Sequence, residues 1–389
     1  MDLFTDFTFF ILVAITVIPA ILLGVMEKTI KYYGFAVTLL FVGLAIGKNP
    51  RALLYLILFV VLQYILVQIF IILNRKWPRR ESLYWTFIVL SLFPLGLNKI
   101  LGLFGNKYHI FAFLGISYIT FKGVQMIIEI YDGLITKVKP FNFFYLMLFF
   151  PAITSGPIDR SRRFDDDLNT RYTKEEYLDL AGTGIFKVCL GLMYKVVCGG
   201  LFYQAMLALE PLHSMPRVWL YMYSYGFYLF FDFAGYTLMA VGVAYLFGIR
   251  LPGNFNKPFV SLDIKEFWDR WHITLSHWFR DFIFSRIVMR FTKKKLIKNK
   301  LTKASVAFII NMGIMGVWHG LTKDYIMYGL YHGVLLALTE IFQKKSKFYK
   351  KHKKERWFKA IEWVVTFHLV MLGFLIFSGK FTQAVLKWY

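Results

Sequence analysis

The charges in this chain are confined to short runs, and the stretches between them are almost purely apolar. Phe7 to Met26 is the first such stretch, twenty residues with no ionisable side chain. A helix needs about 20 apolar residues to cross a bilayer. Hydrophobic residues make up 58% of the 389 residues and charged ones 18%, against about 45–50% and about 25% in soluble domains. No soluble interior of this size could hide that excess, so lipid is the solvent. The composition excludes a set of soluble domains and predicts one all-α, polytopic, membrane-embedded domain over residues 1–389.

Apolar periodicity predicts eleven helices, at 7–26, 35–47, 52–73, 83–104, 108–130, 142–156, 181–208, 217–247, 304–318, 325–342 and 360–378. Spans 35–47, 142–156 and 304–318 are too short to cross straight, and 217–247 is too long. That mixture predicts tilted or re-entrant helices around a thinned centre. The first span follows Asp2 and Asp6 instead of basic residues, and no small-residue cleavage site follows it, so it is expected to be a retained helix. Segment 254–303 mixes charges, Trp and His, and is neither a clean span nor a clean loop.

Lys and Arg number 46 against 23 acidic residues, a formal net charge of +23. The basic residues cluster at Arg75–Arg80, Lys293–Lys303 and Lys344–Lys359. Basic runs between apolar spans mark the cytoplasmic side. With all three runs inside, parity places both the N- and the C-terminus outside. The pattern suits anionic headgroups or an acidic protein on that face, not nucleic acid.

Cys189 and Cys198 lie in apolar sequence without metal-ligand spacing, and no metal is expected. There is no Walker loop, no G-x-S-x-G elbow and no H-E-x-x-H. Any group this chain transfers must arrive already activated.

Ionisable residues within the membrane are costly and are functional candidates by default. His319, flanked by Trp318 and Gly320, ends span 304–318. At about 1.5 Å per residue it lies about 22 Å from the start of that span, deep in the membrane. A neutral imidazole there suits a general base for a hydroxyl, and equally a structural histidine bonded to a neighbouring helix. Residues 267–281 on a helical wheel put Trp268, Trp271, Leu275, Trp278, Phe279 and Phe282 on one side. Asp269, His272, Ser276 and Arg280 line the adjacent edge, and His277 points away. This predicts an amphipathic helix with a polar seam, which either meets substrate or merely snorkels. Asp232 sits in apolar sequence and must find a cation or hydroxyl partner or stay neutral, and it reads as a structural lock in preference to a catalytic group. Asp159 and Arg160 read as a turn with an ion pair. No partner is evident in the sequence for His109, His213, His332 or His368.

Trp271-His272 and, 47 residues on, Trp318-His319-Gly320 resemble the signature of the membrane-bound O-acyltransferases. The strings GISYITFK (115–122), SGPIDR (155–160), FYLFFDFAGY (227–236), NFNKPF (254–259) and FLIFSG (374–379) resemble the D-alanyl transfer branch of that family in Gram-positive bacteria. The likeness covers essentially the whole chain. It implies a ring of tilted and re-entrant helices with a through-tunnel, in the plasma membrane of a Gram-positive bacterium. It implies an enzyme that moves D-alanine from a thioester to a hydroxyl, for lipoteichoic acid. The donor would be a phosphopantetheine thioester on the small acidic carrier protein DltC, with no cofactor held by the chain itself. The extracellular-facing protein DltD and the small membrane peptide DltX would be further partners.

By the same resemblance, His319 and His272 are the catalytic histidines. Trp271, Ser276, Arg280, Asp269, Trp318 and Gly320 would line or position the tunnel site. His277 departs from the aromatic residue usual in the pattern. The carrier would dock on Ser285–Lys295, with Ile287, Val288 and Met289 as an apolar centre among Ser285, Arg286, Arg290, Lys293, Lys294 and Lys295. The alternatives are an O-acetyltransferase for an exported polysaccharide, a histidine-relay transporter, or a non-catalytic scaffold.

Overall fold

The computed structural model describes residues 1, 3–105, 111–212 and 214–382. His109 and His213 lie outside the described residues. Among the described residues every regular element is helical. In chain order these are α1 (Phe7–Val25), α2 (Lys31–Ile46), α3 (Pro50–Lys76), α4 (Glu81–Leu103), α5 (Ile116–Tyr131) and α6 (Pro140–Leu148). They continue with α7 (Ser161–Asn169), α8 (Lys174–Leu192), α9 (Gly200–Leu209), α10 (Met215–Leu246), α11 (Ile264–Arg270) and α12 (Ile273–Phe279). The last are α13 (Ser285–Lys293), α14 (Lys300–His319), α15 (Lys323–Lys345), α16 (Lys347–His352) and α17 (Arg356–Phe377). Two π-helical segments, Met193–Gly199 and Arg280–Phe284, join α8 to α9 and α12 to α13.

Eight of the described helical stretches are long and apolar enough to cross a membrane: α1, α3, α4, Lys174–Leu209, α10, α14, α15 and α17. The protein is an all-α, multi-pass membrane protein. The count falls short of the eleven predicted spans for local reasons. Span 35–47 is α2, sixteen residues. Span 142–156 stops as α6 after nine residues and turns through a 3-10 element at Phe150–Ala152, where Pro151 stands. Span 108–130 becomes α5, which opens at Ile116 after Gly115 at φ 89°. An added Cβ at Gly115 would sit 2.1 Å from the Ile153 carbonyl oxygen, so only glycine fits there. Span 304–318 is longer than its apolar run, because Asn299 caps Leu301 and Thr302 and starts the helix among lysines. Twenty residues rise about 30 Å, so α14 is long enough to cross.

The chain forms two compact units. One comprises residues 1–192 and 236–252, the other 193–235 and 253–389. In the first, α5 is buried along most of its length although it carries Thr120, Lys122, Gln125 and Glu129. Lys122 donates to the Leu146 carbonyl at 2.8 Å, and Ser161 donates to Glu129 at 3.3 Å. Asp159 is buried and pairs with Arg163, whose Nε donates to it at 2.6 Å. The ion pair expected within Asp159–Arg160 is therefore made one helical turn later. Arg160 contributes its backbone N–H, 2.7 Å from Asp159 Oδ1.

The second unit is built on the α14–α15 hairpin. Cβ atoms at Gly316 and Gly329 would each stand 2.4 Å from a backbone oxygen of the other helix. Their absence lets the two backbones close, the usual device for packing helices in lipid. Lys195 in the π segment pairs with Asp232 of α10, the cation the sequence demanded for that carboxylate.

Candidate active site

The second unit holds both candidate histidines. His272 does not lie within a helix. The expected helix over 267–281 is broken between α11 and α12, with His272 at φ 44° and ψ 52°. A non-glycine residue in that region is uncommon, and the strain costs about 1–2 kcal/mol. What holds the break is Asn254. Its Oδ1 accepts from the Thr274 N–H at 3.1 Å, from Thr274 Oγ1 at 2.9 Å and from His272 Nδ1 at 3.1 Å. Its carbonyl accepts from Ile273 N at 2.9 Å, and Asn256 N donates to the Arg270 carbonyl at 3.0 Å. Ser276 Oγ donates to the Trp271 carbonyl at 3.1 Å and ties the far side.

An amide oxygen only accepts, so Nδ1 of His272 carries the proton. In the neutral ring, Nε2 is then left with its lone pair. The ring is buried and packs edge-on against Phe233 at 4.8 Å between centroids. Burial, with His319 nearby as a second cause, lowers the basicity of His272 far below that of an ordinary imidazole. His272 is thus a neutral hydrogen-bond acceptor at pH 7.

The apolar side of the wheel is as predicted: Trp268, Trp271, Leu275, Trp278, Phe279 and Phe282 are all buried. The polar seam is not, because it assumed an unbroken helix. The αL turn at His272 sends that ring inward, while Asp269 and Arg280 stay exposed. Asp269 lies 3.6 Å from Arg280 and 3.8 Å from His277 Nε2. His277, expected to face elsewhere, joins these two, and His272 does not.

His319 ends α14. Its ring lies 4.6 Å from Trp318, 5.1 Å from Phe377, 6.0 Å from Tyr325 and 6.2 Å from Tyr328, in an aromatic cage open enough to leave it half-buried. Gly320 is fixed by space: an added Cβ would meet the Tyr325 ring at 2.4 Å. Four residues around these histidines had no role assigned from the sequence. Asn254 sat in a quoted string without a role, and Phe233 and Tyr328 looked like ordinary apolar helix. The fourth, His332, repeats the aromatic-His-Gly pattern of Trp318-His319-Gly320 as Tyr331-His332-Gly333.

The stretch expected to dock a carrier, Ser285–Lys295, is α13 and the two residues after it. α13 has no buried residue, and Met289 is 47% exposed. Arg286, Arg290 and Lys293–Lys295 surround Ile287, Val288 and Met289, and no acidic residue occurs between Asp281 and Asp324. Lys303 donates to Thr292 at 2.8 Å and holds the end of α13 to the start of α14.

Residues 49–378 match the membrane-bound O-acyltransferase family. The chain belongs to that family. It is 42% identical to a teichoic acid D-alanyltransferase of Bacillus subtilis, over 98% of each chain. It is 38% identical to a teichoic acid D-alanyltransferase of Streptococcus thermophilus, over 95% of this chain and 93% of that one. Identity falls to 30% with a probable alginate O-acetylase of Pseudomonas aeruginosa, over 75% of this chain and 54% of that one. As a membrane-bound O-acyltransferase the protein is a transferase.

Proposed function

We propose that this protein transfers D-alanine from a carrier-bound thioester to a hydroxyl, for the D-alanylation of teichoic acid in a Gram-positive plasma membrane. The likeness to teichoic acid D-alanyltransferases along nearly the full length carries this proposal. Two histidines within one unit support it chemically.

His319 is the general base. It accepts the proton of the acceptor hydroxyl as the oxygen attacks the thioester carbonyl. The tetrahedral intermediate collapses, the C–S bond breaks, and the thiolate takes the proton back from His319. The thioester supplies the driving force. The Nδ1–H of His272 is committed to Asn254 and is not available to stabilise the oxyanion. Its free Nε2 accepts a hydrogen bond, so it orients an N–H or O–H partner instead. Trp271, Trp318 and Gly320 shape the walls. Asp269 and Arg280 belong with His277 on the exposed side, next to the docking helix.

An acidic carrier such as DltC would meet the basic, apolar-centred α13 from the cytoplasm and thread its pantetheine arm inward through a tunnel. DltX and DltD would receive or relay the product on the outer side, and lipoteichoic acid would be the final acceptor. The test is donor choice. Proteoliposomes are given carrier loaded with D-alanyl or with acetyl groups, and label is followed into acceptor. Preference for D-alanyl is expected. Preference for acetyl would favour the O-acetyltransferase reading that the alginate O-acetylase likeness suggests.

A further inference from the structure

We infer that His332 is a positioning residue for the acyl transfer, acting on both catalytic histidines through the rings it touches. This rests on the assignment of His319 and His272 as the reacting pair.

His332 lies on α15 and is completely buried. Neither ring nitrogen has a hydrogen-bond partner. Its cage is aromatic. The Tyr328 ring is 4.7 Å away, Trp268 5.2 Å, Tyr331 5.3 Å and Phe267 6.3 Å. The Trp268 indole N–H is also buried and without a partner. Burial alone would favour an apolar side chain here, since buried polar atoms without partners are costly. An imidazole at this point needs a reason, and its neighbours supply one.

Two paths leave the ring. One runs through Tyr328 to His319, 6.2 Å further on. The other runs through Phe267, whose ring stacks on Trp271 at 5.6 Å, to the break that carries His272. His332 thus touches side chains that in turn touch each half of the site. A third element fixes its own position. An added Cβ on Gly373 of α17 would stand 2.5 Å from His332 Nε2, so α17 closes on the imidazole edge only because residue 373 is glycine. A Phe ring, longer than imidazole, would strike α17.

The site is therefore sensitive to small movements of a residue that touches no substrate. Misplacement of reacting groups by about 1 Å can cost about a hundredfold in rate. Loss of His332 should lower kcat and leave the KM for loaded carrier unchanged, because the carrier meets α13 instead.

The experiment compares wild type, His332→Ala, His332→Gln, Gly373→Ala and His319→Ala in proteoliposomes, with D-alanyl-loaded carrier and its binding measured separately. His332→Ala and Gly373→Ala are each expected to lower kcat about tenfold or more, with carrier binding and KM held. A double variant, His332→Ala with Gly373→Ala, should be no worse than His332→Ala, since the added methyl then meets a cavity. His332→Gln restores bulk and a polar end near Nε2, and should recover part of the rate. If His332→Ala and His332→Gln both turn over at the wild-type kcat while His319→Ala is inactive, His332 plays no positioning part and the assignment of His319 survives. A loss confined to the amount of folded, carrier-binding protein would reduce His332 to a core residue and overturn the inference. Normal transfer by His319→Ala would instead overturn the assignment on which it rests.

Discussion

Asn254→Ala should separate the geometry of the active site from its amino-acid content. The substitution replaces neither histidine. It removes one oxygen that accepts from Thr274 N, Thr274 Oγ1 and His272 Nδ1 at 2.9–3.1 Å. Each such bond contributes about 1 kcal/mol net, so the three together contribute about 3 kcal/mol. The left-handed conformation of His272 costs about 1–2 kcal/mol. With Asn254 the bonds exceed the strain, and without it the strain is unopposed. The break between α11 and α12 should then relax toward continuous helix, turning His272 out of the site and freeing its tautomer. The expected loss of stability is about 1–2 kcal/mol, the three bonds less the strain relieved, seen as a lower Tm in detergent, and transfer should fall more than tenfold at matched protein. Asn254→Asp keeps an acceptor at the same place and should retain the fold. If Asn254→Ala melts and transfers like wild type, the tautomer and strain assigned to His272 are wrong.

Three further outcomes are expected. Gly329→Ala places a methyl 2.4 Å from the Met312 carbonyl oxygen, which cannot yield as a side chain would. It should destabilise the α14–α15 hairpin by about 1–3 kcal/mol, read as a drop in Tm. Arg286→Glu with Arg290→Glu should raise the KM for an acidic carrier severalfold at low ionic strength and leave kcat alone, with the gap closing as salt is added; a salt-independent effect would argue against charge-guided docking. His272 has a depressed pKa, so it is neutral in the folded protein from about pH 5 to 8, where an ordinary histidine would change charge. Any inflection of kcat/KM in that window belongs to another group and should stay in place in His272→Gln, although the rate falls.

The membrane class and the buried side of α11–α12 were legible in the sequence, because each depends on composition or on short-range periodicity. The buried row from Trp268 to Phe282 followed from 3.6-residue spacing even though the helix is interrupted. The interruption was not legible, because it is imposed by Asn254, eighteen residues upstream of His272. The misplaced seam of Asp269, His272, Ser276 and Arg280 is the direct result. Likewise the length of α14 was underestimated, since an apolar count stops at Lys303 while an Asn299 cap lets the helix begin among lysines. Partner choice over short distances was equally hidden. Asp159, which precedes α7, takes the Arg163 side chain from the first turn of that helix and the backbone N–H of its neighbour Arg160. Lys195 reaches Asp232 from the π segment, a pairing no local pattern encodes. His332 showed a signal that spacing alone could not interpret, an aromatic-His-Gly triplet repeated on the opposite arm of a hairpin.

The central claim is that His319 is the base that activates the acceptor hydroxyl. Its most direct test is D-alanyl transfer from loaded carrier by wild type and His319→Ala, reconstituted in equal amounts, with carrier binding measured on the same samples. Loss of transfer with carrier binding intact is the expected result. Transfer at the wild-type rate by His319→Ala would contradict it.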